Sequence, residues 1–272
     1  GRIRIEQLNQ IVRDALNIQT YERIYVSDFL AVDLNCDGKN EVIMSVNKEC
    51  TSDPVMLVLL FRIGDTVKLQ EFATHRGNIH ADIKDINADG IFEVITKEVL
   101  AESTYHAECI EWPTIYKWNG QEYVEASKDF PEYYREVVNK LDTDIEKLSK
   151  VDLEELAKSD DRSKEDLTKW QRFRMSDLHV AQFKTKQLLG QGKAGFEYAI
   201  QWSSSTDRQL RRNAATVFAG IMDRESRRYL QKLAKDQDLA VALVAQVALK
   251  SRPSRVLSLE QSQGRARGVS VF

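Results

Sequence analysis

The sequence predicts an α+β chain of more than one domain, in which an N-terminal antiparallel β region of two similar four-stranded units is followed by an all-helical half. Three observations predict it. Short β-branched and aromatic runs divided by Gly, Asn and Asp turns fill residues 21–130, a helical spacing of apolar residues takes over after Pro131, and one acidic loop occurs twice within the β region, 52 residues apart.

The chain opens with a helix, since Ile5, Leu8, Ile11, Val12, Ala15 and Leu16 fall on one helical face within residues 1–20. From Tyr21 the period shortens. Strands are predicted at Ile24 to Val32, Val42 to Asn47, Val55 to Ile63, Val67 to Ala73, Ile79 to Lys84, Val94 to Val99, Thr114 to Trp118 and Tyr123 to Ala126. Gly64-Asp65 and Asn119-Gly120 read as hairpin turns, the second more strongly because both residues tolerate positive φ. Each copy then reads strand, acidic loop, strand, strand, hairpin, strand.

The two acidic loops are Asp33-Leu-Asn35-Cys-Asp37-Gly38-Lys39-Asn-Glu41 and Asp85-Ile-Asn87-Ala-Asp89-Gly90-Ile91-Phe-Glu93. They share both Asp, the Asn, the Gly, the Glu and the Val-Ile that follows, which makes the duplication a structural repeat. Calcium wants six to eight oxygen ligands, and a tight loop supplies them from alternate positions. Positions 1, 3 and 5 carry Asp33, Asn35, Asp37 and Asp85, Asn87, Asp89. Gly38 and Gly90 permit the turn, Lys39 and Ile91 offer a backbone carbonyl at position 7, and Glu41 and Glu93 stand at position 9. A turn without a metal also favours Asp, Asn and Gly, but it does not require acids at positions 1, 5 and 9 together. An EF-hand needs a Glu at position 12 between helices, whereas Met44 and Thr96 occupy that place within strands, so the EF-hand and the dockerin are rejected.

A loop closed by an acid at position 9 and followed at once by Val-Ile resembles the FG-GAP and VCBS repeats, the calcium-bearing blades of β-propellers. The resemblance covers about residues 21–127. It implies blade-like sheets and two structural Ca2+ ions, one held by Asp33, Asn35, Asp37 and Glu41 with the Lys39 carbonyl, the other by Asp85, Asn87, Asp89 and Glu93 with the Ile91 carbonyl. Position 9 is Glu where the family usually has Asp, and two repeats are visible where a closed propeller needs about four.

Past Pro131 the chain is helical. Residues 131–162 read as connecting helices with a sparse apolar stripe of Ile145, Leu148, Val151, Leu153 and Leu156. Ser163-Lys-Glu-Asp166 is a capping signal for a helix to about Leu189, and Gly190 to Gly195 breaks the pattern. Helices beginning at Asp207 and Asp236 share an Asp, a Leu three residues on and an apolar block, 29 residues apart, with Arg224 to Lys235 between them. The stretch Arg211 to Ile221 resembles a HEAT-like helix, which implies a stacked helical domain over residues 163–252 with a protein-binding surface. Residues 253–272, rich in Ser, Gln, Gly and Arg, are expected to be a disordered tail.

A net charge of −3 over 272 residues gives no global reason to expect nucleic acid or an anionic membrane, and the longest apolar run, Val55 to Phe61, has only a strand's length. The three cysteines, Cys36, Cys50 and Cys109, allow at most one internal disulfide, Cys50 to Cys109, and are equally compatible with three thiols. Gly190 to Gly195 spells GxGxxG, but a helix precedes it where a dinucleotide site needs a strand, so it is an inter-helix loop. Ser45-Val-Asn-Lys48 is a chance SxxK. His75, His80, His106 and His179 lack zinc spacing. Arg208, Arg211, Arg212, Arg224, Arg227 and Arg228 make either a solvated basic face or a site for an acidic partner.

The expectation is a calcium-binding, non-catalytic protein-interaction module with an unidentified protein partner and no nucleic acid or membrane span; a homo-oligomer is compatible with it. The chain starts without Met, and loops of modest affinity fill where calcium is near millimolar, so export to a bacterial periplasm or the cell surface is expected. The alternatives are a hydrolase with a site invisible to spacing and a dedicated binder or inhibitor of one protein, of the immunity type.

Overall fold

The computed structural model describes residues 5–16, 24–48, 56–63, 66–73, 82–101, 110–160, 162–250 and 267–269. The chain divides into two compact units, residues 1–99 with 111–130 and 259–272, and residues 100–110 with 131–258.

The first unit holds helix α1 (Ile5–Leu16) and strands β1 (Ile24–Val32), β2 (Glu41–Lys48), β3 (Met56–Ile63), β4 (Thr66–Ala73), β5 (Ile83–Lys84), β6 (Glu93–Ala101), β7 (Ile110–Trp118) and β8 (Tyr123–Glu125). Two sheets form, ordered β1-β2-β3-β4 and β5-β6-β7-β8, so each predicted copy is one sheet with its acidic loop between the first two strands. A short strand β9 (Arg267–Val269) pairs antiparallel with the β4 edge, so the expectation of a wholly disordered tail does not hold at these three residues. Composition had favoured disorder there, but an open sheet edge offers its backbone groups to any extended segment.

Side chains on alternate sides of β3 explain its unbroken apolar run. Leu57, Leu59 and Phe61 enter the core shared with the second sheet, where Ile83, Val94 and Tyr123 meet them. Val58 points the other way, into a core with Leu8 and Val12 of α1 and Met44, Val46 and Leu69. The run is therefore a central strand buried on both faces. Helix α1 packs on β1 and belongs to the β unit, where the sequence had set it apart.

One strand shortens, one lengthens and one hairpin widens: β7 begins at Ile110, ahead of the predicted Thr114. Of Ile79 to Lys84 only Ile83–Lys84 is strand among the described residues, and residues 79–81 lie outside them. The Asn119-Gly120 hairpin spans four residues, since Trp118 pairs with Tyr123 and the Asn119 side chain accepts from Gln121 N–H and Glu122 N–H. Gly120 takes φ 98°, the left-handed conformation that Asn-Gly anticipates. Gly64-Asp65 lies outside the described residues.

The second unit is helical: α2 (Pro131–Ser149), α3 (Leu153–Ser159), α4 (Lys164–Leu188), α5 (Phe196–Ser203), α6 (Arg208–Ile221), α7 (Arg224–Leu233) and α8 (Leu239–Lys250). Helices α2, α4, α6 and α8 pack in succession as one layer, with α5 against α7 as a second. The presumed connecting helix α2 is thus part of the stack, joined to α4 through Leu141, Leu148, Leu178 and Ala181. Ser163 caps α4 as its spacing predicted, its Oγ accepting from Asp166 N–H at 3.1 Å. Residues 190–195 are a turn between α4 and α5, with Gly190 and Gly195 at φ 90° and 82°.

The paired Asp207 and Asp236 differ in role. Asp207 caps α6 by accepting from Gln209 N–H, but α8 starts three residues after Asp236 and is capped by Asp238. Asp236 is instead engaged by Arg211, whose Nε and Nη2 donate to its two oxygens at 2.7 and 3.0 Å. Asp236 also accepts from Asp238 N–H at 2.9 Å, but that donor lies ahead of the helix, so the carboxylate joins the turn to Arg211 without capping α8.

Candidate metal centre

Asp and Asn side chains favour turns because they accept from backbone N–H groups a few residues on, and both acidic loops are built from that chemistry. In the first, Asp33 accepts from Asp37 N–H (3.1 Å) and Gly38 N–H (2.9 Å), Asn35 from Asp37 N–H (3.0 Å) and Asp37 from Lys39 N–H (2.9 Å). In the second, Asp85 accepts from Asp89 N–H (3.1 Å) and Gly90 N–H (2.9 Å), Asn87 from Asp89 N–H (3.2 Å) and Asp89 from Ile91 N–H (2.8 Å). These four bonds of one loop have their counterparts in the other, and the second loop adds a bond from the Asn87 amide to Asp89 at 2.8 Å.

The backbone repeats as closely. Cys36 and Ala88 at position 4 take φ 57° and 58°, and Gly38 and Gly90 at position 6 take φ 83° and 88°. A non-glycine residue at positive φ carries strain, here held twice in the same place by the Asx bonds around it.

Glu41 and Glu93 close the loops from the first residue of β2 and β6. Each is only 2% exposed and accepts from the position-2 N–H, Leu34 at 2.7 Å and Ile86 at 2.8 Å. Burial pushes both carboxyls above the usual carboxylate range, and the neighbouring Asp37 and Asp33, or Asp89 and Asp85, push them further. The ionised form of each Glu is therefore disfavoured unless a cation stands beside it.

The two loops touch. Phe92 N–H donates to the Leu34 carbonyl at 2.8 Å, and the Cys36 thiol donates to the Gly90 carbonyl at 2.7 Å. The Tyr123 hydroxyl donates to the Phe92 carbonyl at 3.1 Å, and burial followed by the charges of Glu41, Glu93 and Asp33 keeps the phenol protonated well beyond neutral pH. Tyr123 is held in turn by Gln70 on β4 and ringed by Phe72 and Trp118.

All ten sequence-predicted positions lie in these loops, and the structure brings Asp33 and Asn35 onto the shared N–H of Asp37, and Asp85 and Asn87 onto that of Asp89, while Asp37 and Asp89 accept from the N–H groups of Lys39 and Ile91. Among the described residues, no three His, Cys, Asp or Glu side chains converge as a preformed metal cage. The all-oxygen donor set fits a hard cation such as calcium, and a carboxylate oxygen that accepts one N–H keeps a second lone pair.

The sequence reading missed Cys36, Tyr123 and Gln70. Cys36 had a signal, a polarisable S–H at the position where the other copy has Ala88; Gln70 and Tyr123 had none. The proposed Cys50–Cys109 pair lies outside the described residues, as do His75, His80 and His106. Among the described residues no helix is long and apolar enough to cross a membrane. The chain matches no family model, no curated protein and no solved structure.

Proposed function

We propose that the protein is a calcium-binding, non-catalytic protein-interaction module, with one structural Ca2+ in each of the loops 33–41 and 85–93. The observation that carries the reading is the pair of loops: an oxygen set repeated at positions 1, 3, 5 and 9, with positive φ at positions 4 and 6 of both and a buried Glu closing each. Calcium joins the strands flanking each loop and relieves the repulsion among its carboxylates. In this reading the sheets are blade-like repeats of the FG-GAP and VCBS kind, the stacked helices are HEAT-like and offer the surface for a protein partner, and the module works in the periplasm or at the cell surface, where calcium fills sites of modest affinity.

The test is calorimetric titration of the chelator-treated full chain with Ca2+ and with Mg2+, followed by thermal melting in each ion. Two Ca2+ per chain and a melting temperature that rises with Ca2+ and much less with Mg2+ are expected. No binding at millimolar Ca2+, or melting indifferent to chelation, overturns the reading.

A further inference from the structure

The outer face of α7 carries a run of cations. Residues 224–235 hold five, Arg224, Arg227, Arg228, Lys232 and Lys235, against one acid, Glu225. Ser226, Leu230 and Leu233 are buried on the inner side. Arg224, Arg228, Lys232 and Lys235 are exposed and follow one another at three- or four-residue spacing, a stripe roughly 16 Å long at the helical rise. The acids that flank this stretch are held by other cations: Asp223 by Lys193 at 3.1 Å, Asp236 by Arg211 at 2.7 Å and Asp238 by Arg208 at 3.8 Å. Among the described residues, Arg224, Arg227, Arg228 and Lys235 enter no ion pair. The helix itself gains nothing from them. Arg224 with Arg228, and Arg228 with Lys232, are like charges four residues apart, and Arg224 and Arg227 stand in the first turn, where the helix dipole disfavours cations.

The surroundings of the stripe select its occupant. Single-stranded nucleic acid stacks its bases on aromatic rings, but Tyr229 is already stacked on Phe218, with centroids 4.8 Å apart, and the Lys232 ammonium lies over its ring at 5.3 Å. A membrane surface takes up the apolar side of a helix, and that side of α7 is spent, with Leu230 and Leu233 in the core of the helical unit. Glu225 on the same face repels a polyphosphate, whereas a protein can offer it a Lys or Arg. An open depression lined by Arg228, Tyr229, Lys232 and Lys235 gives a carboxylate a place between guanidinium and ammonium groups. We propose that the outer face of α7 docks an acidic segment of a partner protein, with carboxylates spaced at about one helical turn. The proposal rests on the reading of the stacked helices as a protein-binding surface and gives that surface its chemistry.

The test is fluorescence anisotropy of a labelled, alanine-based helical peptide of about 16 residues with Glu at every fourth position, titrated with the full chain. Excess chelator separates the result from calcium binding, so failure here strikes α7 and not the loops. A dissociation constant on the order of 100 μM at about 50 mM salt is expected, weakened at least about tenfold by Arg224→Glu combined with Arg228→Glu. Lys150→Glu combined with Lys158→Glu changes the net charge of the chain equally, at exposed cations that Glu146 and Glu155 already pair, and should leave binding within about twofold. The α7 double variant should also melt no lower than the wild type, because it relieves the like-charge crowding and suits the dipole. Absence of saturable binding up to about 1 mM overturns the proposal, as does an equal loss in the two double variants. Lowered melting of the α7 variant would give these arginines a structural task and overturn it too. So would tighter binding of a single-stranded oligonucleotide of equal charge, or of phosphatidylserine vesicles, than of the peptide.

Discussion

The side-chain amide of Gln70 serves Tyr123 as a neighbouring strand would: its Nε2 donates to the Tyr123 carbonyl at 2.6 Å and its Oε1 accepts from Tyr123 N–H at 3.0 Å. Gln70 is buried on β4 of the first sheet and Tyr123 opens β8 of the second, so one side chain closes the gap between two ladders that, among the described residues, share no strand pairing. Replacing it with an apolar residue of similar size leaves a buried N–H and a buried C=O unmatched. Gln70→Leu is expected to cost about 2–4 kcal/mol in urea denaturation of the β unit. A loss below about 0.5 kcal/mol would mean that water or a shifted strand replaces both bonds.

The two loops should not fill together. Each has three carboxylates, but the first also carries Lys39 where the second has Ile91. The second loop is therefore expected to bind Ca2+ first. Asp89→Asn, which keeps the acceptor for Ile91 N–H and removes one charge, should abolish the tighter step of a calorimetric titration, and Asp37→Asn the weaker one. Lys39→Ile should strengthen the first loop about threefold to tenfold, on the order of 1 kcal/mol. Equal affinities in the wild type would contradict this order.

Acid should act on the metal-free and calcium-loaded states in opposite directions. Burial raises the folded pKa of Glu41 and Glu93 above the ordinary carboxyl value, so the folded chain holds those protons more tightly than the unfolded one. Their contribution favours the folded state below the unfolded pKa and is lost as pH rises through the folded pKa. In chelator, melting temperature relative to a Glu41→Gln, Glu93→Gln variant should fall as pH is raised from about 4 to 7. With calcium the sign reverses, because the ligands must be deprotonated to bind. A pH slope identical in wild type and variant would remove Glu41 and Glu93 from this account.

In the helical unit, Arg211 donates to Asp236 twice and to the carbonyls of Ser205 and Thr206 at 3.0 and 2.9 Å, tying the loop before α6 to the turn before α8. Removing one member leaves a nearly buried charge, so Arg211→Ala is expected to cost about 3–5 kcal/mol. Arg211→Lys should recover only part of it, since an ammonium cannot span the carboxylate and both carbonyls in one plane. Chemical denaturation of the three proteins orders them; a lysine variant as stable as the wild type would refute the role of the fork.

Gly195 combines φ 82° with the Phe183 ring directly where a side chain would begin, while Gly190, at φ 90°, has open space there. Gly190→Ala should cost about 1 kcal/mol from backbone strain alone, and Gly195→Ala clearly more, because the aromatic cluster around Phe183 must also move. Thermal melts of the two variants separate strain from overlap, and equal losses would show that Phe183 yields freely.

The loops were legible in the sequence because local chemistry dictates them: Asp, Asn and Gly at fixed spacing close an Asx turn wherever they occur. The central strands were legible because Val, Ile and Leu at alternate positions satisfy two faces at once, as β3 does. What escaped were features settled by residues far apart. Asp236 has the sequence of a cap and the function of an Arg211 anchor, a choice made across 25 positions. Gln70 and Tyr123 stand 53 apart without any periodic sign. The membership of α2 in the helical stack depends on α4, and a sparse apolar stripe alone cannot say what covers it.

Cys36 and Ala88 have the same backbone conformation, yet only the thiol can donate, and it does so into the other copy. The junction is therefore directional: the first loop gives a bond that the second, with a methyl group at the matching place, cannot return. Cys36→Ala would leave both turns closed and the backbone link from Phe92 to Leu34 in place while removing the thiol bond that makes the junction one-sided.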